Sequence, residues 1–250
     1  MPELERYMLA LLAKLDATLK QAVDDFDFNT YVRALTDFCN EDLSAFFFDI
    51  RKDCLYCDAP SDPKRMAYRT VLDTLFHALV RYAAPVLVFT SEEVWGTRFP
   101  EAGSVHLLEW PEVPNASLPR HPRESGGPAP LGAGGTSGAP DQVRGDEFLD
   151  RWAELRQLRT EVNERIEPMR REKLIGSSLE AEIAVNHSYP GIDLAELFIS
   201  AHVHQGEWET VTRTAHHKCG RCWRHLPEVT EDGALCSRCD QVVSGMDAGA

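Results

Sequence analysis

Near the C-terminal end of the chain, four cysteines fall into two Cys-x-x-Cys pairs, Cys219/Cys222 and Cys236/Cys239, with thirteen residues between the pairs. Each pair can place two thiolates on one side of a tight turn, and two such turns close a tetrahedral four-sulfur site. That is the ligand set of a structural zinc knuckle, so one Zn2+ is expected on Cys219, Cys222, Cys236 and Cys239. Lys218, Arg221, Trp223 and Arg224 lie in or beside the first pair, and Arg238 lies inside the second. From Thr210 to Pro227 there are four Lys/Arg, three histidines and no acid. A metal-fixed loop carrying cations and an indole suits phosphates and stacked bases. The same pattern also fits a knuckle that only locks the tail, its charges simply solvated.

At 250 residues the chain is long enough for one large or two small domains, and 43% hydrophobic with 26% charged residues describes a soluble globular protein. The longest apolar stretch without a charge, Tyr82 to Phe89, is too short to span a bilayer. No basic-then-apolar leader opens the chain. Seven cysteines, an odd number, argue for a reducing compartment, and a cytoplasmic location is expected. The net charge of −14 sits badly with nucleic-acid binding only if charge is read globally. Binding depends on local sign, and an acidic body with a basic tip directs a polyanion to the tip. The first fifty residues hold ten acids against four Lys/Arg, the reverse of the cysteine region.

Apolar residues at Leu4, Tyr7/Met8, Leu11/Leu12, Leu15, Leu19 and Val23 follow a helical period. Asn29 or Thr30 can cap a second helix running to Ile50, and Ser61-Asp62-Pro63 starts a third. Thr90-Ser91-Glu92-Glu93 reads as a capping box for a fourth. No stripe here can bury itself alone, so residues 1–115 are expected to form an antiparallel helix bundle. Between Ser117 and Pro140, eleven of twenty-four residues are Gly or Pro, which predicts a flexible linker over 116–145. A long helix follows, with Trp152, Leu155, Val162 and Ile166 on its apolar face and Pro168 as a kink or last turn. Ala181 to Val185, Leu197 to His204 and Glu209 to Thr214 read as extended. The fold class expected is mainly α: a bundle, then a small α+β tail over 146–208, a zinc module over 209–244 and a disordered end from 245.

Longer motifs carry a resemblance. The runs Glu3-Leu-Glu-Arg-Tyr-Met-Leu9, Ala34-Leu-Thr-Asp-Phe-Cys-Asn-Glu-Asp-Leu43 and Ala84-Pro-Val-Leu-Val-Phe-Thr-Ser-Glu-Glu-Val-Trp95 resemble, in order, the anticodon-binding domain of bacterial isoleucyl-tRNA synthetases. Arg171-Glu-Lys-Leu-Ile-Gly-Ser-Ser-Leu-Glu-Ala181, Lys218-Cys-Gly-Arg-Cys-Trp223 and Leu235-Cys-Ser-Arg-Cys-Asp-Gln-Val-Val243 resemble that family's C-terminal segments. The resemblance implies recognition of the anticodon stem and loop of tRNA(Ile), with Trp223 stacking there; the cations beside the cysteines, Lys218, Arg221, Arg224 and Arg238, are the other tRNA contacts expected. It also implies a catalytic N-terminal part, in the same or a separate chain, that charges tRNA with isoleucine using ATP.

This sequence departs from the family in three ways. Cys54 stands in the family's Lys-Asp-Arg-Leu-Tyr run, making Cys54 and Cys57 an accidental pair that supplies only two ligands; both are expected to be free thiols, as is Cys39. The Gly/Pro linker looks like an insertion. His-x-Gly-His and Lys-Met-Ser-Lys-Ser, the family's ATP-handling motifs, do not occur, so the chain has no catalytic residues of its own. Two other readings compete. Formamidopyrimidine-type DNA glycosylases also begin Met-Pro-Glu-Leu, use the proline as nucleophile and end in four zinc-binding cysteines, but need strands where residues 3–26 show a helical stripe. A non-enzymatic zinc adaptor that binds protein is the other.

Overall fold

The structure, a computed structural model, describes residues 1–113, 140–206 and 210–247. Helix α1 (Glu3–Asp24) follows Pro2, and Glu3 and Glu5 in its first turn face the positive end of the helix dipole. Leu4, Met8, Leu12, Leu15 and Leu19 form its buried stripe. The chain turns at Phe26, in the left-handed region with φ 56°, and α2 (Phe28–Asp37) begins. Its cap is Asp27, whose Oδ1 accepts from the Thr30 N–H at 3.0 Å, rather than Asn29 or Thr30. The helix runs on through a π-helical stretch, Phe38–Phe48, into α3 (Asp49–Cys57). Helix α4 (Pro63–Ala83) starts as the sequence predicts, with Asp62 accepting from the Lys64 and Arg65 amides at 2.8 and 3.1 Å. Helix α5 (Val88–Arg98) opens two residues before the expected cap. Glu92 serves a different purpose there, accepting from the Ser104 hydroxyl and the Val105 N–H at 2.9 and 3.0 Å.

Helix α6 (Pro140–Arg171) packs on the bundle through Trp152, stacked on Tyr7 with ring centroids 4.9 Å apart, and keeps Pro168 within its last turns. The linker expected over 116–145 lies outside the described residues as far as 139; from Pro140 the chain is helical. A three-stranded sheet follows, with β1 (Ala181–Val185) between β2 (His202–Gln205), parallel to it, and β3 (Val211–Arg213), antiparallel. The extended reading of Leu197 to His204 holds only from His202. Before it lies α7 (Leu194–Phe198), because Asp193 caps the Glu196 amide at 3.0 Å and overrides the β-branched residues that follow. Helix α8 (Ser237–Asp247) closes the described chain, so the expected disordered end begins inside a helix and its last residues, 248–250, lie outside the described ones.

Buried residues of α1 to α4, α6, β1 and α7 share one hydrophobic core, Val80, Ala84, Trp95 and Val105 make a small one around α5, and the four C-terminal cysteines, Val229 and Cys57 make another. A charged network crosses the first core. The fully buried Glu5 takes a two-pronged hydrogen bond from Arg51 at 2.7 and 2.8 Å, and Arg51 reaches Glu196 at 2.7 Å. That ties α1 and α3 to α7, and so the bundle to the tail. The molecule is therefore mainly α, a helix bundle with a small α+β tail ending in a cysteine cluster. No helix among the described residues is long and apolar enough to cross a membrane.

Candidate functional site

Beyond β3 the chain doubles back, with Lys218 and His225 paired across an antiparallel bridge. Within that loop the Cys219 N–H donates to the Arg224 carbonyl at 2.9 Å, and the Trp223 N–H to the Cys219 carbonyl at 3.1 Å. A second loop lies against it through Gly220 N–H to Ala234 O (3.1 Å) and Gly233 N–H to Lys218 O (2.9 Å). The contact is close enough to require glycine at 220, where a Cβ would stand 2.4 Å from the Gly233 carbonyl oxygen. Gly233 itself has φ 96°, a conformation that side chains resist.

These turns bring Cys219, Cys222, Cys236 and Cys239 together, all buried, with sulfurs within 4.8 Å of one another. Cys222 and Cys236 Sγ are 3.9 Å apart. A tetrahedral centre with metal–sulfur bonds near 2.3 Å needs sulfurs about 3.8 Å apart, so the four residues fit a metal ion. Donors face the cluster as well: the Cys236 N–H lies 3.3 Å from Cys219 Sγ and Arg221 Nη1 3.6 Å from Cys239 Sγ. Burial opposes ionisation of Cys219, but the N–H groups of Cys222, Cys236 and Arg221 outweigh it and hold the thiol down at about 6. Burial pushes the Cys222 and Cys239 thiols up, so a metal binding there must displace protons. Cys39, Cys54 and Cys57 are free and stand outside the cluster, although Cys57 packs on its core.

Trp223 crowns the first loop with φ 64° and 64% of its surface exposed. Lys218 is exposed and Arg224 half-buried, and neither side chain has a hydrogen bond or ion pair among the described residues. Arg221 and Arg238 are placed differently. Arg221 donates to the carbonyls of Cys57 (2.6 Å) and Tyr56 (3.1 Å) at the end of α3. Arg238 grips Asp53 with both terminal nitrogens, at 2.6 and 2.9 Å, and reaches Asp58 at 2.8 Å. Of the residues put forward from sequence as RNA contacts, three thus face outward and these two turn inward. The physical reasons differ: the end of α3 leaves carbonyls unpaired, which Arg221 satisfies, while Arg238 neutralises the Asp53 and Asp58 carboxylates.

Between α3, α7 and the knuckle lies a cleft of about 460 Å³, its walls including Lys52, Tyr56, Ile199, Ser200, Trp223 and Arg224. Tyr56 is 71% exposed. The Ser200 hydroxyl is buried with no partner among the described residues. Three carboxylates on these walls are already paired: Asp53 with Arg238, Glu196 with Arg51 and Lys64, Asp49 with Arg159 and Lys52. For Asp53, burial alone would raise the carboxyl, but Arg238 outweighs it and holds it below the usual carboxylate range. The cleft therefore presents aromatic surface with its acids paired, and Arg224 as a cation without a hydrogen bond or ion pair among the described residues. Tyr56 and Lys52 escaped the sequence reading. Their signal was weak, two residues four apart on α3 of which Tyr56 stands off the buried stripe.

A family model for the anticodon-binding domain of tRNA ligase matches residues 5–185. The chain is similar to the isoleucine–tRNA ligase of Zymomonas mobilis subsp. mobilis, 51% identical over 258 residues, 97% of this chain and 25% of that protein. The isoleucine–tRNA ligase of Gluconobacter oxydans is 41% identical over 98% of this chain and 24% of its own length. That of Caulobacter vibrioides is 35% identical over 92% and 23%. The chain thus spans about a quarter of the length of these curated relatives.

Proposed function

The chain belongs to the family of tRNA-ligase anticodon-binding domains, and from that premise we propose that it reads the anticodon stem and loop of tRNA(Ile) for an isoleucine–tRNA ligase. The observation that carries this reading is Trp223, held outward on a cysteine-bounded loop beside a cleft rimmed by Tyr56, Lys52 and Arg224. Unpaired anticodon bases offer faces for stacking, and phosphates offer charge for Lys218 and Arg224. The ion in the cysteine cluster is Zn2+, favoured by four thiolates in a closed tetrahedral set. Its part is structural, fixing the loop that carries Trp223.

Charging of the tRNA with isoleucine and ATP belongs to a catalytic part that this chain serves in the cytoplasm. The glycosylase reading gains no support, because Pro2 leads directly into a helix of 22 residues. The test is titration of a fluorescent anticodon stem-loop of tRNA(Ile) with the zinc-loaded chain, beside a stem-loop of altered anticodon. Binding that prefers the isoleucine anticodon supports the reading. Equal binding to both, or none, overturns it, and absence of RNA binding beside capture of a protein would return the adaptor reading.

A further inference from the structure

Arg221 and Arg238 occupy the same sequence position, immediately before the second cysteine of each Cys-x-x-Cys pair, the first on a turn and the second in the first turn of α8. Both point to one target, the last turn of α3 and the residue after it. There Arg221 takes two carbonyls and Arg238 two carboxylates. Among the described residues, these two side chains make every hydrogen bond and ion pair between 215–247 and helices α1 to α5. Cys57 adds apolar packing at that junction, on the cysteine core. Trp223 stands two residues beyond Arg221, and Tyr56, which faces the same cleft, supplies one of the carbonyls Arg221 holds.

We propose that Arg221 and Arg238 are positioning residues that clamp the cysteine knuckle onto α3 and thereby set Trp223 against Tyr56 and Lys52 across the cleft. The proposal rests on the functional reading above and deepens it: the RNA-reading surface is composite, half from the bundle and half from the knuckle. A guanidinium is required at both places because a planar fork satisfies two acceptors at fixed angles, which a lysine ammonium does not. Since Arg221 springs from the turn between Cys219 and Cys222, and Arg238 from the first turn of α8 between Cys236 and Cys239, the state of the metal site is transmitted to α3 through these two side chains.

The clamp makes an unusual prediction of sign. Asp53→Asn removes a negative charge beside an RNA site, which on charge alone should tighten binding. Loss of the clamp should instead weaken binding of the tRNA(Ile) anticodon stem-loop, by roughly five- to hundredfold if one stacked base is displaced. Arg238→Lys should weaken it similarly, with zinc content unchanged. The slope of log affinity against log salt should also stay as in the parent, whereas loss of a phosphate contact would make it shallower by about 0.7 to 0.9. A second readout needs no RNA: hydrogen exchange at the amides of residues 54–58 should quicken in both variants while zinc is retained. Binding by Asp53→Asn as tight as the parent's or tighter, a shallower slope for Arg238→Lys, or unchanged exchange overturns the clamp. Should the parent chain itself ignore the stem-loop, the functional reading fails while the exchange result still decides the clamp.

Discussion

Trp223 takes a left-handed backbone conformation that costs a bulky residue about 1–2 kcal/mol. Its neighbours impose that conformation: Cys222 must face the cluster while the Trp223 N–H closes the turn on Cys219. With its ring mostly exposed, the side chain is not the miniature core of the knuckle. Trp223→Ala should therefore keep zinc content and melting temperature while losing about 1–3 kcal/mol of stem-loop affinity, roughly five- to hundredfold. Loss of zinc in that variant, read by elemental analysis, would make the indole structural after all. The thiols of α3 give a residue-scale prediction of chemistry. Burial pushes Cys57 up to about 11, and burial with the Asp58 carboxylate pushes Cys54 higher still. A raised thiol value favours the neutral S–H form, so at neutral pH little thiolate exists to react. Alkylation of the zinc-loaded protein, followed by mass spectrometry, should leave both far less modified than the unfolded chain.

Among the elements, the knuckle and the bundle should respond differently to the same insult. The knuckle core is little more than four cysteines and Val229, whereas the bundle shares a core with α6 and the sheet. Chelation should thus melt the tail, exposing four reactive thiols, while far-ultraviolet circular dichroism keeps most of its helical signal. The bundle's weak point lies elsewhere: Arg51→Met strands the fully buried Glu5 and should cost about 3–5 kcal/mol, measured by urea unfolding. How much of this was legible follows from what each element is made of. Helices α1 and α4 were readable because their apolar stripes and the Asp62 cap are local in sequence. Helix α7 was not, since five residues are too few to display a period. The cysteine set was legible through spacing, whereas the role expected of Trp223 came from the resemblance, the structure adding that the residue is exposed. The partners of Arg221 and Arg238 were not legible, because tertiary folding brings them together across 165 and 185 positions.

For the whole molecule, a net charge of −14 and a cationic, aromatic tip are compatible because the acids lining the cleft are paired internally. An acidic body with a basic tip directs RNA to the tip, so association should weaken with salt. Under the proposed function, recognition is separate from chemistry. A chain spanning a quarter of its relatives and lacking the nucleotide-handling motifs should show no isoleucine-dependent ATP–pyrophosphate exchange, and exchange by the purified chain would refute that division. The central claim, that the knuckle and α3 together form the surface that meets the anticodon loop, is tested most directly by nuclear magnetic resonance. The measurement follows the Trp223 indole N–H and the Tyr56 amide while the tRNA(Ile) anticodon stem-loop is added to zinc-loaded protein. Both signals should shift together and saturably, while the buried indoles of Trp95 and Trp152 stay in place. Saturable shifts elsewhere on the bundle, with Trp223 and Tyr56 unmoved, would contradict the account.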